Sequence, residues 1–260
     1  MAIEYVLWHY TPSLPAAVAL ASVFGIATAV HLFLLIRTRA FFCVPFVIGG
    51  IFEAVGYGAR AWAHSNTTKT TPYAIQSLLI LLGPILFAAS IYMILGRLIR
   101  STHGERYSFV RTKWMTKIFV GGDVTCFLIQ GGGGGILSGA NSQKDIDLGE
   151  HIILGGLILQ IVVFAVFVIV AASFHLRARH TLDLRRTFYL VILYIVSMLI
   201  TLRNIFRAIE YAWGSDGYLL THEWTLYVCD AMLMAAVLIA CIIWYSCDFT
   251  GPCVHTPRGE

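Results

Sequence analysis

Residues 202–230 read LRNIFRAIEYAWGSDGYLLTHEWTLYVCD. They set two arginines and three acids at the facing ends of two apolar segments, across a Gly-containing turn. Arg203, Arg207 and Glu210 are spaced i, i+4 and i+7, which is one face of a helix. Glu223, Tyr227 and Asp230 repeat that spacing after the turn. The flanking sequence is oily enough for a bilayer, where a central charge costs roughly 2.5–3.5 kcal/mol on insertion scales. Such charges pair or face a polar cavity, so the stretch predicts a functional site inside a membrane protein.

Composition agrees. The 260 residues are 58% hydrophobic and 12% charged, against about 25% charged in a soluble domain. Seven apolar segments, at residues 14–36, 41–63, 73–97, 116–137, 150–175, 187–212 and 223–246, are near or above the ~20 residues a span needs. The expectation is an all-α polytopic membrane protein with one seven-helix domain over 1–247 and a short cytosolic tail, 248–260. Twelve basic residues follow segments one, three and five, and only Lys69 and Lys144 lie in loops on the other side. The positive-inside rule then puts the N-terminus outside and the C-terminus in the cytosol. These basic loops are topology signals, and nucleic acid is not an expected partner. Segment one lacks the basic n-region of a signal peptide and reads as a retained helix. Asn66-Thr67-Thr68 is a glycosylation candidate in the predicted outer loop. None of the six cysteines falls in an outer loop.

More polar residues lie inside the other segments. Glu53, Gly56, Tyr57 and Arg60 share a face of segment two. Segment four carries Asp123 and Gln130, and segment five carries Gln160. The topology places Glu53, Asp123 and Asp230 near mid-membrane, with Arg60, Arg207, Glu210 and Glu223 toward the outer face and Arg203 between. The expectation is a single charged column lining an outward-facing, water-accessible cavity. Gln130 is followed by Gly131 through Gly135, at about 1 kcal/mol each relative to alanine in a helix. That run predicts either an unwound stretch whose backbone touches a ligand or a plain helix end with a flexible loop. Gly83-Pro84 and Gly155-Gly156 read as packing features, and Gln76 and Ser90 as hydrogen-bonding neighbours.

Nine histidines raise the question of metal. His151 and His222 sit at predicted outer helix ends and are weak zinc candidates, without an HExxH or Cys/His cluster. No metal, cofactor or catalytic residue is expected. There is no GxSxG elbow and no ATP-binding loop, so the chain reads as a non-enzyme.

Several blocks occur in order: Glu53-x-x-Gly56-Tyr57-x-x-Arg60, Pro84, Ala88-Ala89-Ser90-x-Tyr92, Leu95-Gly96-Arg97, Asp123 with Gln130 and its glycines, and Gly155-x-x-x-x-Gln160. Arg203-x-x-x-Arg207-x-x-Glu210, Gly214, Gly217, Glu223, Tyr227 and Asp230 close the series. The set, spanning about residues 15–247, resembles the fungal RTA-like family of seven-helix proteins described as lipid-translocating exporters. That resemblance implies handling of amphipathic lipids, because members are linked to sphingoid long-chain-base release, aminosterol resistance and protoporphyrin uptake.

The resulting expectation is a plasma-membrane protein that binds or translocates an amphipathic lipid or lipid-like compound. Its partners would be membrane lipids and a sphingoid-base-like, sterol-like or porphyrin-like substrate. Glu53, Asp123, Glu210 and Asp230 would receive an ammonium head group. Arg60, Arg203 and Arg207 would orient those acids or bind an anion, and Tyr57, Tyr227 and Gln130 would add neutral hydrogen bonds. Glu53 or Asp123 would be the place for proton coupling. The alternatives are a seven-helix lipid sensor and a metal-dependent intramembrane lipid hydrolase.

Overall fold

The computed structural model describes residues 13–65, 70–102, 112–140, 142–180, 182–213 and 223–246. They form seven helices: α1 Leu14–Thr38, α2 Val44–Ala63, α3 Thr70–Ser101, α4 Thr112–Ser138, α5 Gln143–Ala178, α6 Leu184–Ala212 and a composite α7. The last is α-helical over Glu223–Leu226, π-helical over Tyr227–Met232, α-helical over Leu233–Cys241 and 3-10 over Ile242–Ser246. Every expected apolar segment is helical. Six of the helices, all but α4, are long and apolar enough to cross a bilayer. With its 27 residues, α4 has the length, a rise of about 40 Å. Its glycine run and its charges dilute its hydropathy.

Local chemistry sets the helix starts. Pro15 and Pro45 occupy the first turns of α1 and α2, where a missing N–H costs nothing. A capping box starts α5: Asp145 donates its amide to Ser142 Oγ, and the Asp145 carboxylate accepts from the Ser142 amide. This cap lengthens α5 by seven residues over the apolar segment read from sequence.

The helices pack in chain order, and α7 returns to lie against both α6 and α1. α3 also touches α5 and α6. Its span is 67% buried against 17% for α1, so α3 is the axis of the bundle and α1 faces lipid. The core is aromatic, with Phe24, Phe46, Phe87, Tyr92, Phe164, Phe167, Phe174 and Trp244 all buried. Where the basic end of α1 meets α7, His31 is buried between Tyr245 OH, 3.1 Å from Nδ1, and the Leu238 carbonyl, 2.9 Å from Nε2. A carbonyl only accepts, so Nε2 carries the proton and Nδ1 accepts from Tyr245.

The glycine run corrects both sequence readings. Helix α4 passes through Gly131–Gly135 without a break and ends at Ser138. Opening the backbone in hydrocarbon would strand polar groups at several kcal/mol each, more than the glycines cost by propensity. Close packing uses one of them. A Cβ on Gly133 would lie 2.9 Å from the Gly149 carbonyl and 3.0 Å from the Ile153 nitrogen, whereas one on Gly131 would meet nothing within 4 Å. Gly156 does the same opposite Gln130 and Cys126, and Gly155 faces open space. Gly133 and Gly156 form an α4–α5 seam, so of the expected Gly155-Gly156 packing pair only Gly156 packs.

Candidate functional site

The site begins with a missing hydrogen bond. Pro84 lies inside α3 and has no N–H, so the Ile80 carbonyl four residues earlier loses its helical partner. Arg203 Nη2 of α6 donates to that carbonyl at 3.2 Å. Its Nε donates to Asp230 Oδ1 of α7 at 2.5 Å, and Nη1 donates to Asn204 Oδ1 at 3.4 Å. Arg203 is 0% exposed and Asp230 is 3% exposed, so this ion pair is fully withdrawn from solvent and lipid. One guanidinium thus joins α3, α6 and α7.

One helical turn on, Arg207 Nη1 donates to Glu210 Oε2 at 2.8 Å. Arg207 Nε lies 3.9 Å from Asp230 Oδ2, an ion-pair separation but too long for a hydrogen bond. Phe206, Arg207, Glu210, Thr225, Cys229 and Asp230 line a partly open recess of about 20 Å³, which is room for about one water.

A second group of bonds closes the α2–α7 end. Glu223 accepts from Arg60 Nη2 at 2.8 Å, from Tyr227 OH at 2.6 Å, and from the Ser13 amide at 2.8 and 3.1 Å. Arg60 Nε donates to Tyr227 OH at 3.1 Å, and Nη1 reaches Gln76 Oε1 at 3.5 Å. Glu223 therefore clasps the start of α1 and the end of α2 onto α7. The π-helical turn from Tyr227 divides the work of α7: Glu223 and Tyr227 serve α2, while Asp230 serves α6.

Glu53 and Tyr57 sit between the two groups. Both are buried, and neither Glu53 oxygen nor the Tyr57 hydroxyl has a hydrogen-bond partner among the described residues. Glu53 rests on the backbone of α3, where a Cβ on Gly83 would fall 2.5 Å from Oε1. Tyr57 stacks on Phe24 of α1, with centroids 5.4 Å apart and planes within 2°. Asp230 and Arg207 are electrostatic neighbours of both.

The single column expected from depth divides in two around α3. Glu53, Tyr57, Arg60, Arg203, Arg207, Glu210, Glu223, Tyr227 and Asp230 gather between α2, α6 and α7. Asp123, Gln130 and Gln160 lie on the α4–α5 side. There Asp123 Oδ2 accepts from Tyr92 OH at 2.7 Å, and Oδ1 has no partner among the described residues. Tyr92 in turn packs on Phe119, Phe164 and Phe167. Gln130 Nε2 donates to Gln160 Oε1 at 2.9 Å. Depth along a helix says nothing about azimuth around the bundle, which is what separates these sets.

The expected partner Gln76 is found, and the Ser90 hydroxyl has none among the described residues. His151 Nδ1 contacts the Asp147 carbonyl of its own helix at 2.5 Å. Among the described residues no three His, Cys, Asp or Glu side chains gather as a metal site. His222 and Asn66 lie outside the described residues. Sequence reading missed Ser13, Asn204 and the Ile80 carbonyl. Pro84 was the available signal for the last, because it frees a carbonyl at a known offset.

A family model described as "RTA1 like protein" matches residues 46–251. Protoporphyrin uptake protein 1 of Saccharomyces cerevisiae is 35% identical over 91% of this chain and 90% of its own length. Protein RTM1 of the same species is 33% identical, with 90% of each chain covered. The sphingoid long-chain base transporter RSB1 of Saccharomyces cerevisiae is 24% identical over 90% of this chain and 72% of its own. No solved structure matches. A seven-helix chain matched over most of its length by the family model, and aligned over about nine-tenths of that length with these relatives, belongs to the RTA1-like family of multi-pass membrane proteins.

Proposed function

We propose that this protein binds an amphipathic lipid or lipid-like compound and translocates it across the plasma membrane, using the polar interior between α2, α6 and α7. The observation that carries the reading is the buried network around Arg203 and Asp230, which joins three helices through groups that are costly to bury. Relatives named for protoporphyrin uptake and sphingoid-base transport give the substrate class, a large apolar body with a polar head. The N-terminus lies outside and the C-terminus in the cytosol. The chain carries out no covalent chemistry.

The recess beside Arg207 is too small for a head group, so loading requires separation of α7 from α2 or α6. The Glu223 clasp is the more exposed link across that seam, at 19% side-chain exposure of the acid, whereas the Arg207–Glu210 pair lies within α6 and stays closed. The clasp opens at lower cost than Arg203–Asp230, because solvent screens it. The test is reconstitution of the purified chain in lipid vesicles with a fluorescent single-chain amphiphile. Faster transbilayer movement than in protein-free vesicles supports the reading. Equal rates for amine, carboxylate and neutral head groups, all matching empty vesicles, refute it.

A further inference from the structure

Among the described residues, the charges between α2, α6 and α7 do not balance: three arginines face four acids, with Arg60 paired to Glu223, Arg203 to Asp230 and Arg207 to Glu210. The fourth acid, Glu53, has no basic nitrogen within 4 Å among the described residues, although it is 1% exposed. The interior is one positive charge short at that carboxyl.

The orphaned atoms there point the same way. Glu53 Oε1 and Oε2, Tyr57 OH and Asp230 Oδ2 are buried oxygens without a hydrogen-bond partner among the described residues. Buried polar atoms are rarely left unpaired, and these belong to neighbours on two helices. The unpaired donor beside them, Arg207 Nε, is already committed electrostatically to Asp230 at 3.9 Å. What the cluster lacks is a donor with a single positive charge. A dication would overshoot the deficit, and calcium or magnesium takes six or more oxygen ligands.

We propose that Glu53, with Tyr57 OH and Asp230 Oδ2, is a monocation subsite held alternately by a proton and by the ammonium of an amphipathic amine. The inference rests on the transport reading above and adds its coupling. The step balances: the carboxyl proton leaves to solvent, the ammonium enters with its three N–H donors, and the net charge of the site is unchanged. No covalent bond other than O–H breaks. The groups that face Glu53 fix its surroundings. Asp230 comes from α7, Arg203 and Arg207 from α6, and Tyr57 from its own helix, with Arg60 beyond it. α3 presents the backbone of Gly83, and α1 presents Phe24 across Tyr57. Tyr57 and Glu53 are one turn apart on the same face of α2.

The experiment is calorimetric titration of the full chain in lipid nanodiscs with dodecylamine, near neutral pH, in two buffers of different ionisation heat. Empty nanodiscs supply the blank, and dodecanol is the uncharged control. An alkylamine is an ammonium at this pH, so about one proton is released per amine bound, and apparent affinity rises by up to roughly tenfold per pH unit. Glu53→Gln abolishes the release, and Tyr57→Phe keeps it while weakening amine binding several-fold. Amine binding without proton release in the wild type overturns the inference, whether or not Glu53→Gln folds. Release that persists in a folded Glu53→Gln variant also overturns it. If vesicles carrying the protein move amphiphiles but no proton is released, this inference alone fails. If neither dodecylamine nor dodecanol binds and nothing moves, the transport reading fails with it.

Discussion

Replacing Arg203 with methionine removes three donated hydrogen bonds from a side chain that is 0% exposed. Two of the losses matter energetically. Asp230 is left as a buried acid whose main partner is gone, and breaking a buried pair from one side costs about 3–5 kcal/mol. The Ile80 carbonyl, already without a helical donor because of Pro84, is orphaned at about 1–3 kcal/mol. The two terms share one side chain and do not add fully, so the single variant should lose roughly 4–6 kcal/mol. Removing both charges in Arg203→Met with Asp230→Leu deletes the first term and leaves about 1–3 kcal/mol from the carbonyl. Adding Pro84→Ala then returns an N–H to Ile80 and recovers most of that remainder. The assay is equilibrium unfolding by denaturing detergent in mixed micelles, since heating a protein of this kind measures a rate rather than an equilibrium. A single variant within about 1 kcal/mol of wild type would refute the reasoning. So would a double variant as unstable as the single one.

Tyr92→Phe leaves Asp123 without its donor and should cost about 1–3 kcal/mol in the same assay, with Asp123→Leu in the same chain restoring part of it. Glu223→Gln weakens the bonds from Ser13, Arg60 and Tyr227. It should cost about 1–2 kcal/mol after allowance for partial exposure, and hydrogen exchange at the Ser13 amide should accelerate while Leu238 is unaffected. Gly133→Ala drives a methyl against the α5 backbone and should destabilise by about 1–3 kcal/mol. Gly131→Ala meets nothing and should be neutral or stabilising by up to about 1 kcal/mol. Equal effects from the two glycine variants would show that the α4–α5 seam is misplaced.

Much of this architecture is legible in the residues, for a physical reason. Hydrocarbon enforces helices, so apolar length alone marked the segments, and the i, i+4, i+7 spacings in 53–60 and 203–210 became real helix faces with Glu53, Tyr57, Arg60 and Arg203 buried. Pairing was not legible. Nothing in the order of residues says that Arg203 meets Asp230 while Asp123 meets a tyrosine, because that depends on which side of α3 each helix packs. The glycine run misled for a related reason. Glycine propensity is measured in water, and in lipid the cost of open backbone groups exceeds it.

The two interruptions of helical regularity nearest Arg203 fall on either side of it, and together they explain why the charge tolerates burial. Pro84 supplies an acceptor from the α3 backbone, and the π-helical turn over Tyr227–Met232 carries Asp230 to the other side of the same guanidinium. Regular helices would satisfy every main-chain group internally and leave an interior arginine only side chains to bond. Here backbone irregularity provides a bond that no substitution of side chains alone can copy. Lysine at 203 would keep the charge, but its single nitrogen lacks the planar fork that spans an α3 carbonyl and an α7 carboxylate. Arg203→Lys should therefore lose about 1–3 kcal/mol, and adding Pro84→Ala should recover most of that by returning an N–H to the Ile80 carbonyl. Full stability in Arg203→Lys would mean that charge alone holds the three helices, and that the freed Ile80 carbonyl contributes nothing.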